Sequence, residues 1–114
     1  MEAPEVPDGA GENIEDMGGL EGLSRMRPDP SVLKRLEKVY SLLSARGRIE
    51  ILYFLNFCDM TPGMLVYLTG MAPNLLSFHL KKLNDAKIIH SRKEGKYIIY
   101  SLTDLGKSLA GPLG

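Results

Sequence analysis

The chain has no tryptophan and a single cysteine, Cys58. One thiol closes no intrachain disulfide, so neither a disulfide scaffold nor an oxidising compartment is implied. No apolar stretch reaches the length a membrane-spanning helix needs, and no membrane partner is expected. The first residues are acidic rather than a basic segment leading into an apolar run, which argues against a secretory signal. Catalytic patterns are missing too. There is no glycine-rich phosphate loop, and no pair of carboxylates sits on an identifiable rigid cleft. Ser77 and His79 are two residues apart, a spacing that does not bring side chains together on a helix. Zinc needs about four ligands, usually Cys and His. Here Cys58, His79 and His90 are widely separated, so neither metal nor cofactor is expected. These gaps exclude an enzyme and leave a cytoplasmic, nucleoid-associated binding protein as the expectation.

Net charge is absent only in the total, which is zero over 114 residues. From Met1 to Ser24 there are seven acidic residues and no basic one, whereas from Arg25 onward fourteen Lys and Arg face seven Asp and Glu, a net of +7. A basic body suits a polyanionic partner, because steering follows local rather than total charge. The length allows one domain. Residues 1–28, rich in Gly, Pro and acid, read as an acidic flexible tail with at most a transient helix around Ile14, Met17 and Leu20. Residues 29–110 form the domain, and residues 111–114 a flexible C-terminus.

Within the domain, Asp29-Pro30 is a cap followed by a first-turn proline. Val32, Leu36, Val39, Tyr40 and Leu43 then recur at helical spacing. Ser44 can cap a second helix running to Cys58, with Ile49, Leu52, Tyr53 and Leu55 as its main apolar face, widened by Ile51 and Phe54. Cys58, at that helix's end among apolar residues, reads as a small buried hydrophobe. Thr61-Pro62 repeats the cap signal for a short helix to about Leu68, stopped by Gly70. A further helix spans 73–85, with Leu76, Leu80 and Leu83 as its buried stripe. The period then changes to that of strands: 88–92 and 97–102 flank a turn at Lys93-Glu94-Gly95-Lys96. Thr103 or Asp104 caps a last short helix to about Ala110. The fold class is mainly α with a small β-hairpin, the order of a winged helix-turn-helix.

In that architecture the second helix of the pair enters the major groove. Its outer face offers Asn74 and Ser77 for base edges, Phe78 for a thymine methyl, and Lys81 and Lys82 for phosphates. The hairpin, a wing over 91–99, carries Arg92, Lys93 and Lys96, long cations suited to flanking backbone or minor groove. Arg46 and Arg48 touch backbone or sit plainly on the surface. His79 packs, fixes the helix by a hydrogen bond, or meets a phosphate.

Three blocks of sequence resemble the ArsR/SmtB family of winged helix repressors: LLSARGRIEILYFL, with Arg48, Ile51 and Leu52; MAPNLLSFHLKKLNDAKII, with Ser77, His79, Leu80, Leu83 and Ala86; and SRKEGKYIIYSL, with Arg92, Gly95, Tyr100 and Leu102. The resemblance implies a sequence-specific regulator of double-stranded DNA, a repressor, acting as a homodimer on an inverted repeat. It also implies a dimer contact through the first and last helices, here Val32, Leu36, Val39, Tyr40, Leu43, Leu105 and Leu109. The cysteines and histidines of the family's metal sites have no counterparts in PGMLVYL or DLGKSLAGPLG. An effector, if used, is an unknown small molecule or protein. The alternative is a winged helix that serves as a protein-interaction module. A further idea is that the acidic tail mimics nucleic acid on the basic face.

Overall fold

The computed structural model describes residues 2–113. Gly114, part of the expected flexible C-terminus, lies outside them, while Gly111–Leu113 wind into a 3-10 turn. The chain divides into two compact units, Met1–Arg35 and Leu36–Gly114. In the first, the sequence predicts no stable helix, yet Ile14–Met17 form a 3-10 turn and Gly19–Ser24 a short helix, α1. Glycine accounts for the difference. Gly18, at φ +84°, accepts the left-handed conformation that ends one turn, and its amide donates to the carbonyl oxygens of that turn. Gly22 packs where a Cβ would strike the Met17 carbonyl.

Helix α2 (Pro30–Leu42) starts as its sequence predicts. The Asp29 carboxylate accepts the Ser31 amide at 2.8 Å, and Ser31, by its side chain first and this amide second, holds the carboxyl below its usual range. Helix α3 (Arg46–Leu55) departs from expectation at both ends. Its cap position is Ala45, because the Ser44 hydroxyl turns back to donate to the Ser41 carbonyl at 2.7 Å. It stops at Leu55, leaving Cys58 in the following loop and exposed rather than buried. Its inward face also differs: Ile51, Leu52 and Leu55 are buried, while Ile49 and Tyr53 turn outward. Two apolar stripes run along this helix, and packing selected the one that meets the leucines of the helix near 80.

Helix α4 (Pro62–Thr69) is capped by the Thr61 hydroxyl, which accepts the Met64 amide at 3.2 Å, and ends at Gly70 with φ +71°. Helix α5 (Pro73–Asp85) buries Leu76, Leu80 and Leu83 as expected. Strands β1 (Ile89–Glu94) and β2 (Tyr97–Leu102) pair antiparallel from Ile89–Leu102 to Glu94–Tyr97. Pairing therefore continues two residues beyond the predicted first strand. It leaves a two-residue turn, Gly95-Lys96, in which Gly95 takes positive φ. Met60 adds a rung that the sequence did not announce: its amide and carbonyl both bond to Tyr100, at 3.1 and 2.8 Å.

Helix α6 (Asp104–Ala110) is capped by Thr103, whose hydroxyl accepts the Gly106 amide at 3.1 Å and reaches the carbonyls of Lys87 and Ile88. The core of the second unit joins Ile51, Leu52 and Leu55 of α3 to Leu65, Leu76, Leu80, Leu83, Ile88, Ile89 and Leu102. Each such side chain contributes roughly 1.5–3 kcal/mol by leaving water. That burial fixes α4, α5 and the hairpin against α3.

Candidate nucleic-acid interface

Burial of Leu76, Leu80 and Leu83 leaves Asn74, Ser77, Phe78, Lys81, Lys82 and Asp85 exposed. These positions recur at intervals of three and four residues, so they form one outward face of α5. Phe78 stands half out of the surface with the Lys82 ammonium 5.5 Å from its ring centre. Lys81 pairs with Asp85 at 3.3 Å, one turn on, an exposed contact worth little. Helix α4 precedes this face across Gly70. It carries no charged residue and exposes Met64, Tyr67 and Leu68, with Tyr67 86% exposed.

The hairpin separates its cations into two kinds. Lys93 and Lys96 are exposed, and Lys96 lies 5.3 Å from the Tyr97 ring centre. Arg92 is engaged within the protein instead. It donates to Asp59 at 2.8 Å, to Glu94 at 3.0 Å and to the Ser101 hydroxyl at 3.0 Å. The Arg92 bond holds the Asp59 carboxyl below the usual carboxylate range and raises the arginine's own pKa further. Asp59 adjoins Met60, so one loop grips the hairpin through a backbone rung and an ion pair. Sequence reasoning missed Asp59 and Ser101, because nothing local marks a partner 33 residues away from Arg92.

Arg48 is also internal. Its Nε donates to His79 Nδ1 at 3.1 Å and its Nη1 to the Leu42 carbonyl at 2.9 Å, which leaves it unlike the backbone contact or plain surface group expected. The same guanidinium lies 5.8 Å from the centre of the Phe78 ring. Gly47 makes the approach feasible: a Cβ there would stand 3.0 Å from His79 Nε2 and 3.1 Å from Met71 Cε. Burial and the Arg48 charge hold the His79 imidazole below its ordinary pKa. His90 is exposed. Among the described residues, no three His, Cys, Asp or Glu side chains cluster as a metal set, and no helix is long and apolar enough to cross a membrane.

The residues read as a dimer contact fall into two groups. Val39, Leu43 and Leu109 pack against the core of their own chain. Leu36, Tyr40 and Leu105 are exposed and Val32 is half-buried. Leu33 and Phe57, not singled out from the sequence, are exposed as well.

A helix pair turned by a left-handed glycine, followed by a two-stranded hairpin, defines a winged helix-turn-helix protein. Solved structures agree. The transcriptional repressor BigR from Xylella fastidiosa superposes with a TM-score of 0.62 at 28% identity, over 73% of this chain and 86% of its own. The homodimeric winged helix-turn-helix DNA-binding domain Mb0332 from Mycobacterium bovis gives 0.65 at 21% identity, over 76% and 82% of the two chains. Residues 46–91 match the family of bacterial regulatory proteins described as arsR. An uncharacterised HTH-type transcriptional regulator of Bacillus subtilis, YdfF, is 41% identical over 70 residues, which are 60% of this chain. The chain spans about a third of that relative's length, 31%. The chain therefore has the winged helix-turn-helix fold, and over residues 46–91 it is similar to arsR-family transcriptional regulators.

Proposed function

We propose that the chain is a sequence-specific, double-stranded DNA-binding transcriptional regulator, a repressor, that works as a cytoplasmic homodimer on an inverted repeat. Helix α5, residues 73–85, lies in the major groove. Asn74 and Ser77 meet base edges, Phe78 packs on a thymine methyl, and Lys81 and Lys82 hold phosphates. The wing, 91–99, sets Lys93 and Lys96 on flanking backbone or in the minor groove. Arg92, grouped with them in the sequence, also holds the wing through Asp59. The domain is 29–110, with 1–28 as an acidic tail. The observation that carries this reading is the unbroken exposed face of α5, opposite three buried leucines. A homodimeric DNA-binding neighbour and a repressor of the same fold support it. For pairing, α2 offers the exposed Leu36 and Tyr40, and two copies would set their α5 helices about one DNA turn apart.

Selection of duplexes from a random pool tests the reading. The full chain is expected to enrich one inverted repeat. Asn74→Ala and Ser77→Ala should each relax preference at particular bases, by about 1–3 kcal/mol where a bidentate contact is lost. Enrichment of no sequence would favour the second reading, a protein-interaction module. That reading draws on the uncharged outer side of α4, with its exposed Met64, Tyr67 and Leu68.

A further inference from the structure

A side chain outside the reading helix ties that helix down. Arg48 sits in the first turn of α3 and makes two hydrogen bonds that no other residue duplicates: one to the Leu42 carbonyl at the end of α2, one to His79 in the middle of α5. The bond to His79 has a strict requirement. A guanidinium only donates, so Nδ1 must present a lone pair and the imidazole must be neutral, with its proton on Nε2. His79 is the residue after Phe78 and two after Ser77, and Phe78 lies over the same guanidinium. The side chains that face DNA are therefore neighbours of a bond that exists in one protonation state only.

We propose that the Arg48–His79 bond positions the reading face of α5, and that protonation of His79 releases it and lowers DNA affinity. This inference rests on the DNA-binding reading above. Protonation leaves an imidazolium and a guanidinium in direct apposition, and among the described residues no carboxylate is bonded to either. From α3 the charge bearing on His79 is that of Arg48. Helix α4 brings no charged group, its one titratable side chain being Tyr67. Both the burial of the imidazole and the Arg48 charge oppose the protonated form. Gly47 closes the arrangement: α3 lacks a Cβ at the position where the imidazole ring rests. The direction of the effect separates positioning from contact. An imidazolium touching a phosphate strengthens binding as pH falls; a positioning imidazole weakens it.

The decisive variant is His79→Asn, whose Oδ1 stands near the place of Nδ1 and can accept from Arg48 at every pH. With the whole 114-residue chain, binding is measured from pH 8 to pH 5 at fixed ionic strength. The probe is a duplex recovered from a random pool by the wild-type protein at pH 8. Wild-type affinity is expected to fall, relative to His79→Asn, by up to about tenfold per protomer for each pH unit below the His79 midpoint read by NMR. Parallel profiles for the two proteins, or wild-type binding that tightens relative to the variant, would overturn the proposal. Arg48→Gln is expected to weaken binding while leaving the salt slope unchanged. A slope shallower by about one per bound protomer marks Arg48 as a phosphate ligand and also overturns it. If no duplex is ever recovered, the DNA-binding reading fails by itself. The bond is then judged by amide exchange in the free protein at matched pH: faster exchange across Pro73–Asp85 in protonated wild type than in His79→Asn upholds the coupling, and equal exchange ends it.

Discussion

Asp59 and Arg92 show how an exposed ion pair can matter for placement more than for stability. The two side chains are 45% and 43% exposed, so solvent screens the pair and its net contribution to stability is small. The carboxyl nonetheless titrates below its ordinary value. A depressed carboxylate pKa contributes stability that is present above the unfolded value near 3.8 and lost as pH falls through the folded one. Asp59→Asn is therefore expected to lower the melting temperature slightly at pH 7, with the difference from wild type vanishing as the pH is taken below that range. Thermal scans between pH 7 and pH 3 check this; a difference that persists in acid would assign the effect to packing. Neither partner's role was legible in the sequence. Arg92 reads as a wing cation because its neighbours are polar, and the residue that engages it is remote in the chain. The exposure of Asn74, Ser77 and Phe78 was legible, because three inward leucines leave them on the outward side of the helix.

At the level of elements, the ends of helices were legible wherever a side chain could serve as a cap. Asp29, Thr61 and Thr103 all do so. Ser44 looked equivalent, but its hydroxyl had a closer acceptor in the preceding turn. The inward face of α3 was not legible, because both of its stripes are apolar and only the arriving α5 decides between them. The hairpin presents a cleaner case. Of its two exposed lysines, Lys96 lies in the turn and Lys93 near the end of the first strand, while Arg92 holds that strand below them. Replacing both lysines by alanine should weaken binding to all duplexes alike and reduce the salt slope by about two per bound protomer, since each released phosphate contact contributes roughly 0.9. Titrations at several salt concentrations, on a selected and a scrambled duplex, measure both effects. Loss confined to the selected duplex would instead give these residues a part in base reading.

For the whole molecule, the prediction concerns pairing. Leu36 and Tyr40 are exposed, although they share a helix with Val39 and Leu42, which pack inward. Leu36→Asp is expected to shift the protein from dimer to monomer in sedimentation, with little change in helical circular dichroism because the core is untouched. Affinity for an inverted repeat should fall toward that for a single half-site. An unchanged sedimentation coefficient would move the contact elsewhere.

The last helix has a consequence of a different kind, one of timing. Thr103 bonds back to Lys87 and Ile88, a Cβ on Gly106 would strike the Ile88 carbonyl, and Ala110 is fully enclosed. The residues that seal the second unit are thus among its last to be synthesised. On the ribosome, α3 and α5 emerge with their apolar faces exposed, and remain so until α6 clears the exit tunnel. Nascent chains stalled before Asp104 should therefore stay open to protease and chaperone. Chains stalled far enough beyond Ala110 should become resistant in a single step.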